Sequence, residues 1–317
     1  MRTTPLIQKA LKPRRRWNNK WLRSAAGLLL FLTVVCAAIA VFVGWQLTHP
    51  APAVLDDSPD RLGLAYENVQ FKSRGDEISL KGWFLPGKAS EGDLSEKPRV
   101  IMAHGYSTNR LQKSAEALDL AKNLTERGYS VLMFDFRNSG ESGGSKTTIG
   151  YDEKYDLLGA IDWMKTNHPG KIALLGYSMG ASTSIMAAAE EPGVAGIVAD
   201  SPFNHLGLYL EENLPVWSHL PQYPFTPLIL GIMPPLIGID PDKVDGFTAV
   251  DRIYPRPILF IHSTKDTSIP IENSESLWER HKDRFEFWAT SAEGHAKNYP
   301  PLKKEYVERV AAFLEKL

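Results

Sequence analysis

The sequence predicts an α/β fold, a mostly parallel central sheet of about eight strands with helices on both faces, and three observations carry that prediction. Two segments around residue 70 alternate apolar and polar residues, five later apolar runs are each followed by helix-period sequence, and a Pro- and aromatic-rich stretch interrupts the repeat. A charge-free apolar segment near the N-terminus stands apart from this pattern and predicts one transmembrane helix preceding the fold.

The N-terminal elements follow from charge. Residues 1–24 hold eight Lys/Arg and no Asp or Glu, so 28 of the 36 basic residues are left to face 37 acidic ones in the rest of the chain. An acidic globular part excludes nucleic acid as a partner, because phosphate binding needs a basic face. Residues 25–47 carry no charge and are long enough to cross a hydrocarbon core, with Trp21 and Trp45 where interfacial aromatics belong. Basic residues precede this span and Asp56, Asp57 and Asp60 follow it, which predicts a cytoplasmic N-terminus and an extracytoplasmic remainder at the cell membrane. Ala38-Ile39-Ala40 has the form of a signal-peptidase site, but the apolar run continues through Leu47, beyond an ordinary signal core, and favours an uncleaved anchor. The single cysteine, Cys36, falls inside the span, so the exported part has no internal disulfide. Residues 48–65, with His49-Pro50-Ala51-Pro52-Ala53 and the acidic stretch after it, read as an extended, solvated linker.

Residues 66–317 form the predicted globular domain. Alternation in 66–72 and 78–84 across Ser73-Arg74-Gly75-Asp76 predicts a hairpin. The runs 100–103, 130–134, 172–175, 194–199 and 258–261 are continuous and apolar, as expected of strands buried on both faces. Residues 285–288 predict a last strand and 299–317 a closing amphipathic helix. The interruption at about 202–250, with Leu214-Pro215-Val216-Trp217 and Met233-Pro234-Pro235-Leu236, predicts short broken helices forming a small lid over the strand ends, where ligands bind in open α/β sheets.

Within this frame, Gly176-Tyr177-Ser178-Met179-Gly180 follows one strand run and opens a helix pattern. Such a strand-to-helix turn is tight enough to demand glycine-sized neighbours, and it lifts a serine hydroxyl out of the sheet. That hydroxyl becomes a nucleophile only beside a base, and the base needs an acid to orient it. Asp266 lies just beyond the run ending Phe260-Ile261-His262, and His295 lies in the loop Ala292-Glu293-Gly294-His295-Ala296 after the last strand. Asp200 also ends a strand run and is the competing acid; the strand-turn setting favours Asp266.

Ser, Asp and His in that order, together with His104-Gly105-Tyr106 and the segment 134–142, resemble the α/β-hydrolase superfamily over about residues 66–317. Within it the sequence is similar to bacterial membrane-anchored, ABHD-type or serine-aminopeptidase-like hydrolases. The resemblance implies Ser178 as nucleophile, His295 as general base and then acid, and Asp266 as the group fixing the imidazole tautomer. It also implies an oxyanion hole from the backbone N–H groups of Tyr106 and Met179. His262-Ser263 stands where many relatives have His-Gly, a departure that removes no catalytic group. His104 is expected to orient the oxyanion loop, and Asp135 and Arg137 to tie down a neighbouring loop.

The expected activity is hydrolysis of an ester or other acyl bond on a small or lipid-derived substrate, through an acyl-enzyme and without a cofactor. Activity is expected to fall as His295 is protonated, because an imidazolium cannot accept the serine proton. A peptidase is the alternative, with Glu211 and Glu212 as an anchor for a substrate amine; a solvent-facing helix end is the plainer account of that pair. A catalytically silent membrane-bound binding module is the second alternative, and no missing triad member supports it. The histidines show no metal-ligand spacing, and Gly140-Glu141-Ser142-Gly143-Gly144 lacks the phosphate-loop pattern. Oligomeric state leaves no mark on the sequence.

Overall fold

A computed structural model describes residues 20–88 and 97–317; most of the basic segment expected at 1–24 lies outside the described residues. Helix α1 (Lys20–Thr48) is the long apolar N-terminal helix and remains exposed along most of its length. The sheet then begins with the hairpin β1 (Glu67–Lys72) and β2 (Ser79–Leu85), paired antiparallel with Phe71 opposite Leu80. The parallel strands are β3 (Arg99–Ala103), β4 (Val131–Phe134), β5 (Ile172–Tyr177), β6 (Val194–Asp200), β7 (Ile258–Ser263) and β8 (Glu286–Thr290). The eight stand in the order β1-β2-β4-β3-β5-β6-β7-β8, with β2 antiparallel to β4 and every later pairing parallel.

Strand side chains alternate between faces, and the two hydrophobic cores follow that alternation. Ile101, Leu132, Leu174, Ile197 and Phe260 fill the core on one face, under α3 (Glu153–Asn167), α4 (Met179–Glu190) and α7 (Gly246–Ile253). Met102, Met133, Leu175, Val198 and Ile261 fill the other, under α2 (Ala117–Glu126) and α9 (Lys303–Leu314). The central strands β3 to β7 are therefore apolar on consecutive residues because both faces are covered.

Two features differ from the sequence-based expectation. The insertion forms α5 (Leu206–Ser218) and α6 (Gln222–Ile237), longer than the short broken helices expected, with α8 (Glu272–Trp278) packing on β7 further along the chain. Pro215 lies inside α5 and Pro234 and Pro235 lie inside α6, whereas Pro227 sits where a proline costs least. Tyr223 is non-helical, so the regular helix starts after it and Pro227 falls in the first turn, where an N–H has no intrahelical partner.

Residues 49–58 are extended and Pro59–Leu62 form a 3-10 turn, and although many of these residues are exposed the segment is tied to the domain rather than free in solvent. The carbonyls of Thr48, Pro50 and Ala53 accept hydrogen bonds from Thr147 N, Asn138 Nδ2 and Asn109 Nδ2 at 2.7, 3.1 and 3.2 Å. Lys113 pairs with Asp56, and Pro59 and Leu64 are buried. The backbone carbonyls of an extended strap are acceptors in search of donors, and the loops after β3 and β4 supply them.

Candidate active site

The turn between β5 and α4 is built by two close approaches. A Cβ on Gly176 would stand 2.3 Å from Gly180 O, and one on Gly180 would stand 2.2 Å from Ala103 O. Real Cβ atoms do not approach backbone oxygens so closely, so glycine at both positions is a steric requirement. Between them Ser178 adopts φ 53° and ψ −119°, a conformation held by the surrounding packing and by its N–H donating to Asp200 O at 2.8 Å.

Three side chains distant in sequence meet at this point. His295 Nε2 lies 2.6 Å from Ser178 Oγ, and His295 Nδ1 lies 2.6 Å from Asp266 Oδ2. A carboxylate only accepts, so Nδ1 carries the ring proton and Nε2 is free to accept from the hydroxyl. The other Asp266 oxygen, Oδ1, accepts from the N–H groups of Ser268 and Ile269 at 2.9 and 3.0 Å, which fixes the carboxylate at the turn after β7. Burial pushes the Asp266 carboxyl up, but hydrogen bonding from His262, His295 and Ile269 outweighs it and holds the group well below the usual carboxylate range. His262 supports the turn from beneath. Its Nε2 donates to Ile269 O at 2.9 Å and lies 3.4 Å from Asp266 Oδ2, leaving Nδ1 to accept from Ser274 Oγ at 2.7 Å.

Asp200 takes no part in this chain of contacts. It is fully buried and accepts from Asn298 Nδ2, Ser201 Oγ and Tyr306 OH at 2.7, 2.9 and 3.0 Å. Burial pushes its carboxyl up, against the pull of those donors.

Tyr106 and Met179, the two residues singled out for their backbone N–H groups, both line the cavity at Ser178. Met179 is the first residue of α4, where an N–H has no intrahelical acceptor and the helix dipole favours negative charge. The turn carrying Tyr106 is pinned by Gly105 N donating to Gln112 Oε1 at 2.8 Å. It is pinned again by His104, whose Nδ1 donates to Gly105 O at 2.8 Å while Nε2 accepts from Phe136 N at 3.0 Å. Burial lowers the His104 pKa, which keeps this ring neutral and able to fill both roles. Next to it, Asp135 accepts from Arg110 N at 2.7 Å and from Arg110 Nη2 at 2.6 Å, and Arg137 forms a fork with Asp156, its Nη2 at 2.7 Å from Oδ1.

Two contributors carry no motif and escape sequence reasoning. Trp217 of α5 stands edge-on to His295, ring centroids 6.3 Å apart, and edge-on to Tyr106 at 5.8 Å. Its Nε1 donates to Tyr209 OH at 2.6 Å, and that hydroxyl donates to Ser268 O at 2.9 Å, beside the Asp266 turn. The second is the end of α1, which lines the cavity beside Ser178. That cavity lies between β5, α5 and α6, with walls such as Leu210, Leu214, Ile229 and Met233. Glu211 and Glu212 are exposed on α5 and do not line it. Among the described residues no group of three His, Cys, Asp or Glu is placed to hold a metal ion.

An alcohol at a strained turn, hydrogen-bonded through an imidazole to a buried carboxylate at the C-terminal rim of this sheet, defines a class: the chain belongs to the α/β-hydrolase superfamily. A family model described as X-Pro dipeptidyl-peptidase (S15 family) matches residues 83–228. The protein YqkD of Bacillus subtilis is 32% identical over 222 residues, 69% of this chain and 71% of its own length. Human ABHD12B is 27% identical over 196 residues, 57% of this chain and 49% of its own length. Among solved structures, an esterase of Pyrococcus furiosus superposes with a TM-score of 0.70 at 28% identity, covering 85% of this chain and 98% of the esterase. The chain is thus an α/β hydrolase related to esterases and to S15 peptidases.

Proposed function

We propose that the protein is a membrane-anchored serine esterase that cleaves a small or lipid-derived acyl ester through a Ser178 acyl-enzyme. The observation that carries this reading is the continuous hydrogen-bond chain Ser178–His295–Asp266, with both links at 2.6 Å. In the proposed reaction His295 Nε2 takes the Ser178 proton as Oγ attacks the acyl carbon. The N–H groups of Met179 and Tyr106 receive the developing oxyanion, each worth about 3 kcal/mol of barrier. His295 then protonates the leaving alcohol, and water repeats the sequence in reverse to free the acid. Asp266, held ionised, keeps the imidazole in the tautomer that both steps need.

The apolar cavity favours an acyl chain as the recognised group. An aminopeptidase needs a buried or pocket-facing carboxylate for the substrate amine, and the exposed position of Glu211 and Glu212 does not supply one. The S15 family match favours a peptidase as the second reading. A panel of p-nitrophenyl esters from acetyl to palmitoyl beside aminoacyl and X-Pro anilides tests the choice. Ester turnover exceeding anilide turnover by at least a hundredfold is the expected result, and the reverse order overturns the esterase assignment.

Residues 25–47 are read as an anchor retained in the membrane, with the domain 66–317 and its lid, about 202–250, outside the cytoplasm. Ala40, the last residue of the signal-like triplet, is buried against the lid, which supports retention of the helix. Added protease should degrade the catalytic part in spheroplasts without lysis; protection there reverses the orientation.

A further inference from the structure

Helix α1 fits the catalytic part more closely than a tether requires. Gly44, Leu47 and Thr48, from its last two turns, line the same cavity as Ser178. Ala40 and Gly44 are the buried positions of a helix that is otherwise exposed or half-buried, and they meet lid helix α6. A Cβ on Gly44 would stand 2.3 Å from Met233 Cγ and 3.4 Å from Ile229 Cγ2, and both of those residues are also cavity walls. The end of the helix is fastened as well as packed. Tyr106 OH donates to Leu47 O at 2.6 Å, and Thr147 N donates to Thr48 O at 2.7 Å, so a residue that lines the cavity together with Ser178 holds the last turn of α1.

Chemistry points the same way. No Asp, Glu, Lys or Arg occurs between Glu212 and Asp240, the stretch that builds α6 and most of α5's second half. A lid segment without charge from 213 to 239, packed on a membrane-length helix, places one apolar surface from the lipid phase to the cavity.

We propose that α1 is a specificity-determining element: its last two turns and α6 together form the wall that receives the substrate's acyl chain, and the Gly44–Met233 contact sets the length accepted. This rests on the esterase reading of Ser178. Each methylene taken from water onto that wall contributes about fourfold to kcat/KM, so chain-length preference is a sensitive gauge of the wall's position. Filling the contact at residue 44 displaces Met233 into the cavity and shortens the accepted chain. Trimming residue 47 lengthens it.

The test uses the full-length protein in phospholipid nanodiscs and the ratio of kcat/KM for p-nitrophenyl dodecanoate to that for p-nitrophenyl acetate. Gly44→Leu is expected to lower this ratio at least tenfold. Leu47→Ala is expected to raise it at least threefold, a change that a merely destabilised helix does not produce. Leu29→Ala, on the exposed part of α1, is expected to leave the ratio within twofold. The proposal is overturned if the ratios of Gly44→Leu and Leu47→Ala both stay within twofold of the unmodified protein, or if Leu29→Ala moves it as far as they do. If the unmodified protein hydrolyses no ester and its Ser178 resists a fluorophosphonate, the esterase reading itself falls, and the role of α1 with it.

Discussion

Asp266→Asn separates the chemistry of the site from its shape. The substitution is nearly isosteric. The side-chain oxygen that accepts from Ser268 N and Ile269 N at 2.9 and 3.0 Å can be kept by an amide. The other position, 2.6 Å from His295 Nδ1, then becomes an NH2 donor facing a donor. The imidazole resolves that conflict by moving its proton to Nε2, which points at Ser178 Oγ and no longer accepts the serine proton. Loss of the correct tautomer costs about 10⁴-fold in kcat in a Ser-His-Asp site, equivalent to about 5.5 kcal/mol. The assay is p-nitrophenyl acetate hydrolysis per mole of folded protein, with thermal melting as the control for folding. Asp200→Asn is the companion variant, because Asp200 accepts from Asn298 and Tyr306 and touches neither Ser178 Oγ nor His295. Its expected effect on kcat is below tenfold. If Asp266→Asn retains more than a tenth of the activity, or if Asp200→Asn is the more damaging change, the orienting role of Asp266 is refuted.

Further outcomes follow from the same contacts. Gly180→Ala places a Cβ against the backbone oxygens of Ala103 and His104, at 2.2 and 2.5 Å; destabilisation of about 1–3 kcal/mol and loss of turnover are expected, read by denaturant melts and the ester assay. Asp135→Ala leaves the buried Arg110 guanidinium with the half-exposed Glu141 as its ion-pair partner, and a loss smaller than the roughly 3–5 kcal/mol of a fully stranded charge should appear in the same melts, with Asp135→Asn smaller still. Because the Asp266 carboxyl is held below its unfolded value, its contribution to stability is fully present above about pH 4 and is lost as pH falls through the depressed native value. The stability curve of Asp266→Asn should accordingly be flatter than that of the unmodified protein below pH 4, measured by urea unfolding across pH.

The sheet was legible because burial on both faces leaves a sequence mark: continuous apolar runs such as Ile172 to Leu175 can be strands only if helices cover both sides. The meeting of Ser178, His295 and Asp266 was legible because the turn geometry restricts residue types at 176 and 180, and chain order did the rest. Position 217 was not. A tryptophan in a Pro-rich insertion has no periodicity to locate its partner, and only the lid's path brings it over His295. The wall formed by α1 was invisible for a different reason. Contact with lipid and contact with an apolar lid select the same residues, so Gly44 and Leu47 look in sequence like any part of a membrane span. The docking of 48–65 on the domain left no mark in the sequence because most of its ties are backbone carbonyls, which every residue has.

The most direct measurement of the central claim is mass spectrometry of the full-length protein after exposure to a fluorophosphonate, comparing the unmodified chain with Ser178→Ala. The account predicts a single adduct on the peptide carrying Ser178 and none in the variant. A folded protein that takes up no label, or a label that persists in Ser178→Ala, contradicts it.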